Sequence, residues 1–148
     1  MLRGVVLGVR DGETLVVLGP SGCGKSVLLK HIIGLMKPDR GSILFEGCDV
    51  TRMRPAELSQ MRQRFGMVFQ GAALFDSMTV GGNVGLPLAE HRRMKGAELD
   101  RLVEEKLSLV GLEDAADLRP AELSGGMKKR VALARALALD PDVILYDE

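Results

Sequence analysis

Eight residues, Gly19-Pro20-Ser21-Gly22-Cys23-Gly24-Lys25-Ser26, constrain this chain more than any other stretch. They fit the pattern G-x-x-x-x-G-K-[ST] and lie between an apolar run, "TLVVL" (14–18), and a helical pattern that begins at Lys25. Strand, glycine-rich turn and helix in that order make a cradle for an anion. The glycines let successive backbone N–H groups curl around a phosphate with no Cβ in the way. The helix N-terminus adds partial positive charge. Lys25 offers a point charge to the β- and γ-phosphates of a nucleotide, and Ser26 a hydroxyl to Mg2+. The candidate phosphate-contacting set therefore runs from Gly19 to Ser26 and on to Val27.

The rest of the pattern predicts an α/β protein. Apolar runs at 5–9, 14–18, 42–47, 66–69 and 143–146 read as strands, the last two as strands buried in a parallel sheet. Helical spacing covers 25–36 (Leu28, Leu29, Ile32, Ile33 and Met36 on one face), 55–65, 96–112 (Leu99, Leu102, Val103, Leu107 and Val110) and 125–140. Pro55 opens the second of these helices and Gly111 stops the third. Strand–helix alternation followed by a mainly helical stretch over about 76–140 predicts an α/β core with a helical insertion. Twenty basic and twenty acidic side chains cancel, so no clustered positive field points to nucleic acid. No apolar run reaches the roughly 20 residues that span a bilayer, and the first residues lack the basic-then-apolar pattern of a secretory signal. Cys23 and Cys48 are expected as reduced thiols and as small buried apolar residues.

Two more stretches carry chemistry. "DVILYDE" (142–148) is an apolar strand ending in acids. Asp147 at its tip can give a hard cation an oxygen ligand, and Glu148 can polarise a water for in-line attack on a γ-phosphate. "LSGGM" (123–127) opens a helix, and Ser124, Gly125 and Gly126 form a second anion-receptive helix end. By local physics alone an ordinary N-cap is the favoured reading of Ser124. His31 reads as structural, and His91 as part of a solvated charged loop. The hexamer "RPAELS" occurs at 54–59 and again at 119–124, but the flanks do not align, so no repeat architecture follows.

The glycine-rich loop, then "VFQ" with Gln70, then LSGG, then a strand ending Asp-Glu, resembles in that order the nucleotide-binding subunits of ABC transporters. The resemblance implies a P-loop NTPase (RecA-like) core with an N-terminal antiparallel β part and an inserted helical subdomain, truncated after the Walker B strand. It divides the chain into a core of 1–75 and 141–148 and a helical subdomain of about 76–140. It implies ATP at a Walker A loop of Gly19–Ser26, with Mg2+ held by Ser26, Gln70 and the Walker B Asp147. Glu148, Gln70 and Lys25 would be catalytic. Ser124, Gly125 and Gly126 would cap the γ-phosphate of ATP held by the other subunit, in a head-to-tail homodimer with two ATP molecules between subunits.

"FQGAALFDSMTVGGNVGLPL" (69–88) and "LSGGMKKRVALARALALDPDVILYDE" (123–148) are similar to the ATPases of Mla-type lipid transporters, also known as toluene-tolerance or organic-solvent-resistance systems. That likeness implies a transmembrane permease contacting residues of about 70–90, a periplasmic lipid-binding subunit in the same complex, and a place on the cytoplasmic face of the inner membrane. Phe75, Met78, Val80 and Val84 are equally read as helical-subdomain core. Relatives usually carry Glu where this chain has Gly82. The end at Glu148 leads us to expect a fragment with impaired turnover, since the D-loop, the switch histidine and the adenine-stacking aromatic of the family are not found. The alternatives are a soluble ABC-type ATPase unconnected with transport, or a non-catalytic nucleotide-binding fragment.

Overall fold

Helix α1 (Lys25–Ile32) starts directly after the glycine-rich turn and stops four residues short of the expected Met36. The stop is Gly34. It takes φ 65°, and the N–H groups of Gly34 and Leu35 fold back to the carbonyls of His31 and Lys30 at 3.0 and 2.8 Å. This paired closure satisfies two orphan carbonyls and turns the chain off the helix axis. The computed structural model describes residues 2–147, in two units, Met1–Leu58 and Ser59–Glu148.

In the first unit the expected turn forms at 10–13, with Gly12 at φ 73° and the Arg10 N–H donating to the Glu13 carboxylate at 2.8 Å. The flanking runs 5–9 and 14–18, expected as strands, carry no ladder and are exposed, Val6 at 96%. Apolar residues set what a strand would bury, but a strand also needs a neighbouring backbone. Among the described residues none pairs with these runs. The run 42–47, expected as one strand, is a hairpin. It comprises β1 (Leu44–Phe45), Glu46 and Gly47 at φ 49° and 79°, and antiparallel β2 (Cys48–Asp49). Two successive positive φ values mark a tight hairpin turn, and Gly47 makes it cheap. A 3-10 turn (Val50–Arg52) follows, capped by the Asp49 carboxylate, which accepts from the Thr51 hydroxyl and N–H. The Thr51 hydroxyl above all holds that carboxyl below its usual range. Cys23 and Cys48 are free thiols as expected, but both are exposed, against the expected burial. One lies on the glycine-rich turn and the other just after the hairpin turn, and neither position faces a core.

Helix α2 (Pro55–Gln63) opens at Pro55 as expected. In the second unit, β3 (Phe65–Val68) pairs in parallel with β4 (Val143–Tyr146), Phe65 opposite Val143 and Val68 opposite Tyr146. Three helices accompany them: α3 (Val80–His91), α4 (Ala97–Ser108) and α5 (Gly125–Leu137). Helix α3 runs to His91, so that residue ends a helix and does not lie in a loop. Helix α5 has two apolar sides. Val131 and Ala134 join Val80, Val84, Val103 and Leu107 in the helical core, while Ala132 packs with Val68 and Ala72. A Cβ on Gly66 would sit 2.5 Å from the Ala136 carbonyl oxygen, so only glycine lets β3 lie this close to α5. Gly111, at φ 64°, closes α4 in the same manner as Gly34 closes α1. Val103 and Leu107 of the expected α4 face are core, with Leu99 and Val110 packed on it. Lys106 is buried and donates to the Asp140 carboxylate.

Candidate functional site

The glycine-rich loop occupies the first unit. Gly22 and Gly24 take φ 78° and 109°, conformations that side chains with a Cβ resist. A Cβ on Gly19 would meet the Cys23 sulfur at 2.7 Å. The Cys23 N–H donates to the Pro20 carbonyl at 3.3 Å, tightening the turn around exposed Ser21. No side chain caps α1, whose first turn carries Lys25, Ser26 and Val27. The Lys25 ammonium folds back to the carbonyls of Gly19 (2.9 Å) and Pro20 (3.3 Å). An uncapped helix start, one ammonium and one hydroxyl thus fall within the first turn of α1, a combination that suits a polyphosphate anion. His31 Nδ1 lies 2.7 Å from the Val27 carbonyl oxygen, in keeping with its structural reading.

Asp147 and Gln70 belong to the second unit. The Asp147 N–H donates to the Val68 carbonyl at 3.0 Å, extending the parallel ladder one residue past β4, and Asp147 is buried. Gln70 follows β3 by two residues and is exposed. Both therefore sit at the carboxyl edge of adjacent parallel strands, where α/β sheets hold ligands. Glu148 lies outside the described residues. The Asp147 carboxylate and the Gln70 amide oxygen are hard oxygen ligands of the kind that suit Mg2+.

Ser124 is the N-cap of α5, its hydroxyl accepting from the Met127 N–H at 3.2 Å. The ordinary capping role is thus real. Gly125 and Gly126 are exposed, and among the described residues no carbonyl takes their N–H groups. The start of α3 is different. There Thr79 Oγ1 accepts from the Gly82 N–H, and the N–H groups of Val80 and Gly81 donate to the carbonyls of Leu118 (2.7 Å) and Ala116 (2.8 Å). The α3 end is plugged by its own chain, while the α5 end keeps donors for something else. Ser124 stands eight residues before Ala132, about 12 Å along the helix from where Ala132 meets Val68. The structure thus keeps Ser124 apart from that strand layer.

Sequence reasoning missed Asn83. It is fully buried, and its side-chain amide bonds the Phe75 N–H (2.7 Å), the Phe75 carbonyl (3.1 Å) and the Thr79 carbonyl (2.9 Å). The signal was a lone amide within the apolar stretch of α3. Of the four residues read as core, Val80 and Val84 are buried and Phe75 is half-exposed. Among the described residues, no helix is long and apolar enough to cross a membrane.

The pattern of the ABC transporter family matches residues 2–148. A probable ribonucleotide transport ATP-binding protein, mkl, of Mycobacterium leprae is 51% identical over 97% of this chain and 42% of its own length. The intermembrane phospholipid transport system ATP-binding protein MlaF of Haemophilus influenzae is 48% identical over 96% of this chain and 54% of its own. The chain thus spans about half the length of the curated relatives it matches. Among solved structures, the ATP-binding cassette MJ0796, a dimer bound to ADP and Pi, superposes with TM-score 0.88 at 38% identity, covering 96% of this chain and 63% of that one. With a family match over nearly every residue, and a P-loop NTPase fold shared with solved ABC cassettes, this chain belongs to the ABC transporter family.

Proposed function

We propose that the chain is the ATP-binding and ATP-hydrolysing part of a subunit that energises a membrane lipid transporter, with phospholipid as cargo. One observation carries the reading: a glycine-shaped loop, Gly19–Ser26, feeds a helix with no side-chain cap and with Lys25 in its first turn. ATP phosphates would take backbone N–H groups of the loop and of the first turn of α1, within Gly19–Val27, and the Lys25 ammonium. Mg2+ bound there supplies charge neutralisation on those phosphates, held by Ser26, Gln70 and Asp147. Gln70 orients the attacking water, and Glu148 takes its proton. Residues 1–75 and 141–148 form the nucleotide core in this reading, and about 76–140 the helical subdomain.

Ser124, Gly125 and Gly126 cap the γ-phosphate of ATP on a second copy, in a head-to-tail homodimer. Their unclaimed N–H groups support this, as does the likeness to a dimeric cassette. The half-exposed Phe75 supports a permease contact over about 70–90. The subunit would lie peripherally on the cytoplasmic face of the inner membrane, with a periplasmic lipid-binding subunit in the same complex. The relatives' names divide between phospholipid and ribonucleotide, which makes ribonucleotide the second cargo to test.

Titration of MgATP against wild type and Lys25→Ala tests the nucleotide reading. Loss of the ammonium should weaken binding at least tenfold, about 1.4 kcal/mol, and equal affinities would sink it. In liposomes holding the full-length subunit and its permease, phospholipid should move in an ATP-dependent way. Movement of ribonucleotide alone would replace the cargo.

A further inference from the structure

Three consecutive residues after Gln70 stand in the left-handed region: Gly71 at φ 78°, Ala72 at 66° and Ala73 at 47°. Glycine accepts this freely, but the two alanines crowd Cβ against the following carbonyl oxygen. Such strain persists only where the surroundings over-determine it. Part of the restraint is local. The Ala72 N–H donates to the Phe69 carbonyl at 3.0 Å, and the Ala73 N–H to the Gly71 carbonyl at 2.8 Å. Part comes from 62 and 63 residues further along the chain. Arg135 on α5 donates Nη2 to the Ala72 carbonyl at 2.9 Å and Nη1 to the Ala73 carbonyl at 2.8 Å. One rigid guanidinium fork thus grips both strained peptides, while Ala72 is packed under it against Val68 and Ala132. Arg135 is half-buried, which lowers its pKa, yet a guanidinium stays charged at neutral pH.

We propose that Arg135 is a positioning residue for Gln70. It fixes the 71–73 turn, and the turn fixes where the residue before it stands at the carboxyl edge of β3 and β4. The proposal rests on the reading of Gln70 given above. It also gives α5 a mechanical part. The helix begins at Ser124–Gly126 and carries Arg135 eleven residues on, about 16 Å away.

Hydrogen exchange and turnover of the full-length protein test this together. Arg135→Gln should speed exchange at the Ala72 and Ala73 amides by about tenfold or more. It should cut kcat by about tenfold, through misplacement of Gln70, while the Kd for ATP stays within about twofold. Arg135→Lys keeps the charge but loses the fork, so it should fall between, and it carries the comparison if Arg135→Gln does not fold. Adding Ala73→Gly to Arg135→Gln should restore most of the lost kcat, because glycine holds a left-handed φ unaided. A residue that merely staples α5 to the loop would not be rescued in this way. Unchanged exchange at both amides, or a lost kcat that Ala73→Gly fails to restore, overturns the proposal. Gln70→Ala separates the two levels. Turnover that survives it overturns the role of Gln70 and the proposal together, whereas turnover lost with Gln70→Ala but kept with Arg135→Gln overturns the proposal alone.

Discussion

Arg-Pro-Ala-Glu-Leu-Ser occurs at 54–59 and at 119–124, and the two copies fold alike for four residues before they part. In both, Pro opens a helical turn and the Glu carboxylate reaches back to the Arg N–H, at 2.7 Å for Arg54–Glu57 and 2.6 Å for Arg119–Glu122. In the first copy the Arg54 guanidinium also lies on Glu57, and that hydrogen bond holds the carboxyl below its usual range. Then Leu58 and Ser59 continue α2 to Gln63. In the second copy the turn lasts only Pro120–Glu122. Leu123 becomes extended (φ −94°, ψ 141°) and buried, and Ser124 starts a new helix. Local sequence thus writes how a helix begins. How long it lasts is settled by what the fifth residue packs against and by the residues after the sixth.

The leucines should separate the copies most. Leu123→Ala removes a core side chain that packs with the α3–α4–α5 cluster, and should cost about 3 kcal/mol of unfolding free energy. Leu58→Ala, at a half-buried site, should cost about 1 kcal/mol. Denaturant midpoints of the two variants measure this, and equal losses would mean that burial of Leu123 is not what ends its helix.

The serines separate the copies in function. Asp caps a helix as well as Ser does, so Ser124→Asp should leave the melting temperature of the full-length protein unchanged. It sets a carboxylate where a γ-phosphate is proposed to lie. Turnover should therefore fall about 30-fold, near 2 kcal/mol. Ser59→Asp, on the exposed side of α2, should change neither quantity measurably. Full turnover with Ser124→Asp would leave that serine a cap and nothing more.

Contrasts like these mark what could be read from letters. The Gly19–Ser26 loop, the parallel pairing of β3 and β4 (though not the burial expected of them, since Ile144 and Tyr146 are exposed), Pro55 as a helix start and Gly111 as a stop were legible, because each rests on a local rule of backbone geometry or apolar periodicity. Runs 5–9 and 14–18 misled, because pairing depends on a second backbone that an apolar pattern does not name. Gly34 and Gly47 were present in the letters, but both were read through as parts of longer elements. Asn83 and Arg135 were invisible for another reason. Their roles lie in bonds to backbone carbonyls at 75 and 79 and at 72 and 73, which no spacing encodes. Ser124 fell between: the cap was readable from chemistry, and a phosphate role came only from resemblance.

The smallest effect tests whether the device shared by the two hexamers is portable. In each copy the Glu is the third residue after the N-cap, and it accepts the N-cap N–H. Helix α3 has Thr79 as its N-cap and Gly82 in that third position. Thr79 already supplies half of a capping box, since its hydroxyl takes the Gly82 N–H at 3.0 Å, while its own N–H has no partner among the described residues. A Cβ at Gly82 would lie 3.4 Å from the Met78 Cβ and from Thr79 Oγ1, ordinary contacts that demand no rearrangement. Gly82 is exposed, so a longer side chain has room. Gly82→Glu should therefore stabilise the protein by about 1 kcal/mol, from glycine's lost backbone freedom, the completed box and a carboxylate at a helix N-terminus together. Gly82→Ala isolates the first contribution and should give about half. If the two variants gain equally, the reach-back bond does not form in α3. The Glu of Arg-Pro-Ala-Glu would then work only behind a proline, and the likeness between the two hexamers would end at that residue.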